Sequence, residues 1–152
     1  MKAKTKYQLD GNQSQFIEMP LMIHTFDIDA ARHVNNVVYI RWLEELRTKL
    51  ISSICDFKRL IGNGYYIVVI STLIKYKKQL KLFDKPTGTL KIDSVNHGII
   101  TLGGEIKIGS QISAITEQKC IVMDLNSSKM IQNELLHKLF GNGNLKNRNH
   151  PN

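Results

Sequence analysis

The chain has 152 residues, 42% of them hydrophobic and 22% charged, which is the composition of one globular domain and excludes a disordered or collagen-like chain. Area scaling for this mass gives roughly 7,900 Å² folded against roughly 25,000 Å² extended, so about two thirds of the surface can be buried in a single core. The net charge is +8, but Lys2, Lys4, Lys6, Lys146 and Arg148 lie in acid-free ends, leaving 16 − 13 = +3 for residues 9–140, a surplus that does not call for nucleic acid.

Residues 1–15 are polar and read as a loose N-terminus; their lysines precede no apolar stretch, so export is not expected. Residues 16–25 (FIEMPLMIHT) read as extended, with Pro20 confining them to an edge or an irregular strand. A polar hinge, DIDAARHVNN, follows. From Asn36 the period changes: Tyr39, Leu43, Leu46, Leu50 and Ile54 recur at spacings of 4, 3, 4 and 4, one helical stripe that Ile40 and Ile51 widen. Arg41 with Glu45 and Glu45 with Lys49 are opposite-charge pairs at helical spacing, each worth about 0.3 kcal/mol. This helix runs about twenty residues, and Gly62, Asn63 and Gly64 then break the chain.

The longest apolar run, Tyr65 to Ile70, is six residues, far short of the ~20 that a membrane helix needs. In IKYKKQLKL, Ile74, Tyr76, Leu80 and Leu82 alternate with Lys75, Lys77, Gln79 and Lys81, and in ITLGGEIKI, Ile100, Leu102, Ile106 and Ile108 alternate with polar neighbours. Period two means half-buried strands. Asn96-His97-Gly98 and Gly109-Ser110 separate the runs at hairpin spacing, which predicts antiparallel pairing. Residues 132–140 are amphipathic and close the domain as a short helix, and 141–152 form a disordered tail rich in Asn and Gly. The expected fold is α+β: one domain over 16–140, a strand, one long helix, then four long antiparallel strands curving around it. A single helix covers one sheet face only, so exposed strand edges predict a homodimer, with a tetramer as a further step.

No GxSxG, GxxxxGK, HExxH or GxGxxG occurs. His24, His97 and His137 are isolated, and Cys55 and Cys120 stand 65 positions apart without a CxxC, so no metal, cofactor or disulfide is expected and both thiols are read as buried and reduced in the cytoplasm. What remains is Asp27, Asp29, Arg32, His33, Asn35 and Asn36, six residues within ten positions between a strand and a helix N-terminus. Unpaired N–H groups at such a terminus stabilise an oxyanion, and a carboxylate just upstream can attack or activate water. The alternative is that Asp29 and Asn35 merely cap the helix and Asp27 is solvated.

The spelling FDIDAARHVNNVVYIRWLEELR resembles the signature of hotdog-fold acyl thioesterases, in particular the 4-hydroxybenzoyl-CoA thioesterase-like group. The pattern D-x-D-x-x-G-H-V-N-N, a tyrosine, then an acid and an arginine is met by Asp27, Asp29, His33, Val34, Asn35, Asn36, Tyr39, Glu44 or Glu45, and Arg47. The order of elements over 16–135 is similar to the family's. The resemblance implies that Asp29 is the nucleophile or general base, that the Asn36 N–H donates to the oxyanion, and that His33 and Asn35 orient substrate or water. Arg32 stands where the pattern often has Gly, and its cation could reach the acyl carrier. Tyr39 and Trp42 read as packing residues.

Lys75, Lys77, Lys78, Lys81 and Lys85 put five cations in eleven residues; alternation sets Lys75, Lys77 and Lys81 on one strand face, able to receive CoA phosphates or an acidic carrier protein, or else simply solvated. The reading that follows is hydrolysis of an acyl thioester on CoA or acyl carrier protein, without cofactor. A hotdog dehydratase or hydratase, or a non-catalytic acyl-carrier or nucleic-acid binding protein, are the alternatives. No membrane partner is expected and nucleic acid is disfavoured. A Cys120 and His97 nucleophilic pair is disfavoured by the apolar strand around Cys120.

Overall fold

A computed structural model describes residues 16–132, 134 and 136; the loose N-terminus, the tail and most of the closing helix expected over 132–140 lie outside the described residues. The element order is β1 (Phe16–Pro20), a 3₁₀ turn (Thr25–Asp27), α1 (Asn36–Ile54), α2 (Phe57–Gly62), β2 (Tyr65–Tyr76), β3 (Thr87–Asn96), β4 (Ile99–Ile108), β5 (Gln111–Asp124) and the two-residue β6 (Lys129–Met130). The main path of the sheet runs β1-β3-β4-β5-β2, every pairing antiparallel, with β6 beside β5. β1 is an edge strand that stops at Pro20, as its missing N–H dictates.

α1 starts where the period changes. Asn35 is its N-cap, its side chain accepting the Val37 N–H at 3.1 Å, and Cys55 closes it in an extended conformation with its N–H on the Ile51 carbonyl. Tyr39, Leu43, Leu46, Leu50 and Ile51 are buried with Trp42 and Val38 against Leu90, Leu102, Ile106, Cys120 and Val122 of the sheet. Tyr39 and Trp42 are thus core residues, in edge contact with each other at 5.2 Å. Ile40, expected to widen the stripe, is 47% exposed, because it lies on the face turned away from the sheet. Gly88 in β3 lies hard against the helix side of the core: a Cβ there would stand 2.9 Å from Leu21 and Leu46 side-chain carbons.

Both predicted hairpins form. His97 and Gly98 hold φ of 51° and 81° between β3 and β4, and Gly109 holds 57° before β5, the left-handed values that tight antiparallel turns require. α2 was not read from the sequence; its signal is Asp56, whose carboxylate accepts the Arg59 N–H at 3.0 Å. The larger correction concerns IKYKKQLKL. β2 begins at Tyr65 and ends at Tyr76, after which the Lys77 and Lys78 N–H groups both turn onto the Ser113 carbonyl. Lys77 and Lys81 therefore lie in the β2–β3 connection and do not share a strand face with Lys75.

Candidate active site

The segment between β1 and α1 folds as a short hairpin-like loop. The Asn35 N–H donates to the Asp27 carbonyl at 2.8 Å, Ile28 bridges Val34, and the Asp29 N–H donates to the His33 carbonyl at 2.9 Å. These bonds set Asp27 beside the first turn of α1 and Asp29 one rung farther out. The loop's far end is closed by Asp29 itself: its Oδ1 accepts the Ala31 N–H at 2.9 Å and the His33 N–H at 3.2 Å, an Asx-type closure. Oδ2 has no partner among the described residues. Arg32 sits at the apex with φ 64°, the left-handed region where a Cβ costs about 1 kcal/mol or more. That explains why the resembled pattern favours Gly here; this chain keeps the turn and accepts the strain, and the Arg32 side chain is exposed.

The two carboxylates have opposite surroundings. Asp27 is 1% exposed; its Oδ2 accepts the His24 N–H and its Oδ1 the Arg41 Nη2, both at 2.8 Å. Burial alone would raise its pKa, but the His24 N–H and the Arg41 guanidinium outweigh it and hold the carboxyl below its ordinary value. Arg41 in turn lies 5.9 Å over the Phe26 ring, which stacks on His24 at 4.8 Å. Arg41 was expected to pair along the helix with Glu45; it reaches Asp27, fourteen positions back in sequence, and no spacing rule foresees this. Nor is Asp27 solvated, as the capping alternative had it, and Asp29 is no cap of α1, whose N-cap is Asn35. Asp29 is half-buried and, among the described residues, free at one oxygen.

At the helix start the Asn36 N–H has no acceptor among the described residues, while its carbonyl accepts the Tyr76 hydroxyl at 3.4 Å. Tyr76 also makes an edge contact with Tyr39 at 5.0 Å, and burial pushes the Tyr39 hydroxyl up to about 12, with Tyr76 and Asp84 adding to the rise. The neighbouring Val34 N–H donates to the Leu80 carbonyl at 2.8 Å, which fastens the β2–β3 connection, with Lys77 and Lys81, to this loop. The structure therefore brings Asp29, Arg32, His33, Asn35 and Asn36 together and places Lys77 and Lys81 on the adjoining segment. Lys75 is set apart, in a groove of about 610 Å³ on the outer sheet face with Glu18, Lys91, Asp93, Glu105 and Glu117; the loop carboxylates do not line that groove, so its size does not make it the reaction site.

A second polar cluster lies along α1. Arg47 donates to Gln118 Oε1 at 2.9 Å and pairs with Glu44, and Gln118 passes a hydrogen bond to Thr72 Oγ1 at 3.1 Å. Cys120 nearby is a thiol pushed up to about 11 by burial, against the pull of Arg47 and with Glu44 adding to the rise. Cys55 is half-buried, where full burial was expected, and both thiols are free. Neither is a nucleophile poised at neutral pH. Among the described residues no cluster of His, Cys, Asp or Glu could hold a metal ion, and no helix is long and apolar enough to cross a membrane.

Comparison with known proteins bears on this geometry. A family model described as the thioesterase-like superfamily matches residues 23–139. The long-chain acyl-CoA thioesterase FadM of Escherichia coli (strain K12) is 24% identical over 127 residues, covering 81% of this chain and 96% of that protein. Among solved structures, YbaW, a probable thioesterase from Escherichia coli, superposes with a TM-score of 0.75 at 22% identity, over 82% of this chain and 96% of its own. The DHNA-CoA thioesterase from Staphylococcus aureus gives 0.73 at 16% identity, over 82% and 83% of the two chains. The long helix in a curled antiparallel sheet is thus the hotdog fold, as expected, and with the matched span taking in the loop, α1 and the whole sheet beyond it, the chain belongs to the thioesterase-like superfamily, whose enzymatic class is thioester hydrolysis.

Proposed function

We propose that the chain hydrolyses acyl-CoA thioesters at the loop that joins β1 to α1, with Asp29 as the reacting carboxylate. The observation that carries this reading is the division of labour within Asp29: Oδ1 is held by two backbone N–H groups while Oδ2 has no partner among the described residues. A carboxylate anchored by one oxygen and open at the other is oriented without being consumed. Acting as a base, Asp29 takes a proton from water as the water oxygen attacks the thioester carbonyl carbon. Acting as a nucleophile, it forms an anhydride that water then opens. In either course negative charge moves onto the carbonyl oxygen, the unpaired Asn36 N–H at the positive end of α1 receives it, and collapse breaks the C–S bond to release CoA thiolate.

Asn35 spends Oδ1 on the helix start, so its share is to hold Asn36 in place, with Nδ2 left to face substrate or water. His33, half-buried beside Asp29, orients the same groups. Arg32, Lys77 and Lys81 are the cations assigned to the CoA phosphates; Lys75, on the outer face, is not. The names of FadM and the DHNA-CoA thioesterase supply an aliphatic and an aromatic precedent on CoA. The longer-chain aliphatic precedent has the higher identity and is the one we carry over. The twelve-residue edge strand β2, with Ile70, Leu73 and Tyr76 each more than two fifths exposed, supports a homodimer joined along that edge, and the two reduced cysteines support action in the cytoplasm.

A panel of long-chain aliphatic and aromatic acyl-CoAs with a free-thiol readout tests the reading. Release of CoA from a saturated long-chain thioester is the expected result. A saturated substrate left intact by protein that instead hydrates an enoyl-CoA would replace hydrolysis with the hydratase reading.

A further inference from the structure

The β2–β3 connection, two of whose lysines, Lys77 and Lys81, are assigned above to the CoA phosphates, carries more charge than that role needs and an exposed aromatic that hydrolysis does not use. Residues 77–85 contain four lysines and one aspartate, 4 − 1 = +3, and in their midst Phe83 is 89% exposed. Phe83 is flanked in sequence by Lys81 and Lys85, and an exposed ring among long cations is the pairing that a charged interface over an apolar layer receives. The loop is not a floppy one. Its first residues are fixed to the Ser113 carbonyl, Leu80 is fully buried and its carbonyl accepts the Val34 N–H, and Asp84 makes two bonds with Lys81, its carboxylate accepting the Lys81 N–H and its own N–H donating to the Lys81 carbonyl. Asp84 is thereby engaged within the loop. At the far end the buried Pro86 carbonyl accepts the Leu21 N–H at 2.9 Å, and the next residue along, Met22, is 68% exposed. Lys77, Lys78, Lys81 and Lys85 are all exposed.

We propose that this loop docks the protein on an anionic phospholipid surface, Phe83 entering the acyl boundary while the lysines engage lipid phosphates. The charge sign selects an anionic partner. The aromatic selects among anionic partners: a projecting ring flanked by long flexible cations needs a matching pocket on a folded protein, whereas a deformable apolar layer beneath a charged one receives it without any preformed cavity. The lack of an apolar span led to the expectation of no membrane partner, but peripheral docking needs no span. Through Val34, the docked loop would hold the start of α1 next to the surface. The proposal stands on exposure and charge and does not depend on thioester hydrolysis.

The test is co-sedimentation of the full chain with vesicles of phosphatidylcholine alone and of phosphatidylcholine containing about a third phosphatidylglycerol, read without any turnover assay. Binding to the anionic vesicles is expected, with Phe83→Ser weakening it about tenfold or more and Lys81→Gln or Lys85→Gln about fivefold each, while unchanged melting temperatures show that the exposed substitutions leave the fold intact. Equal binding to both vesicle types overturns the proposal, as does anionic binding that Phe83→Ser leaves untouched. It is also overturned if no vesicle binds and Phe83→Ser instead abolishes self-association or retention on an acidic acyl carrier protein.

Discussion

The two polar regions of α1 are built from similar parts and finish in opposite states. Around Arg47 the groups partner one another: the guanidinium holds Gln118 and Glu44, and the Gln118 amide, 2% exposed, goes on to Thr72. At the helix start, Asp27 is spent in the same manner and Asn35 spends its Oδ1, but among the described residues Asp29 keeps Oδ2 and Asn36 keeps its N–H. A polar group that supports a fold lowers the energy by saturating its bonds. One that serves a reaction has to reserve some of them, and only the N-terminal region does so.

That contrast predicts where substitutions will hurt stability and where they will not. The largest effect is expected at Arg47. Arg47→Ala removes a buried stem and strands the Gln118 amide, at a cost of about 3 kcal/mol in urea unfolding. Arg47→Met combined with Gln118→Leu should recover most of that, because a packed apolar pair replaces a saturated polar one; no recovery would show that the cluster does more than fill the interior.

Asp27→Asn comes next, at about 1 to 3 kcal/mol, since the amide turns a donor toward either Arg41 or the His24 N–H. Its sign with pH follows from the lowered folded pKa. The carboxylate's contribution is fully present above its ordinary value of 3.8 and is lost as pH falls below that value through the folded one. Between about pH 6 and about pH 3, wild type should therefore lose more stability than the Asp27→Asn variant. Equal losses would remove Asp27 from the structural side of the comparison.

The smallest effect is a gain. Arg32→Gly relieves a left-handed φ of 64° and should raise stability by about 0.5 to 1 kcal/mol, a few degrees in Tm. Measured beside KM for acyl-CoA, it also separates the strain from the cation: a higher Tm with an unchanged KM takes Arg32 out of phosphate binding.

The features that were legible in the sequence are those whose causes are local. The stripe from Tyr39 to Leu50 and the turns at His97-Gly98 and Gly109 follow from side-chain period and backbone sterics within a few residues. The end of β2 was not legible, because the alternation through Lys77 and Lys81 persists after the strand has turned off onto Ser113, a partner 36 positions beyond Lys77. Distance hides the site's division of labour too. Asp27 and Asp29 look alike until Arg41 claims the first, and Arg47 is an ordinary surface cation until Gln118, 71 positions away, arrives beneath it. The family resemblance located the loop and pointed to Asp29; what spends Asp27, its pairing with Arg41, came from the fold.

The central claim is that Asp29 is reserved for chemistry, and Asp29→Asn tests it with the least disturbance. Asparagine keeps an Oδ1 for the Ala31 and His33 N–H groups, so the turn survives and the melting curve should move by less than about 1 kcal/mol in stability. Its amide is neither a base nor a useful nucleophile, so kcat on a good acyl-CoA should fall by about 10² to 10⁴-fold. Turnover at the wild-type rate in purified Asp29→Asn protein, with contaminating esterase excluded, would contradict the account and leave Asp29 as a turn residue alone.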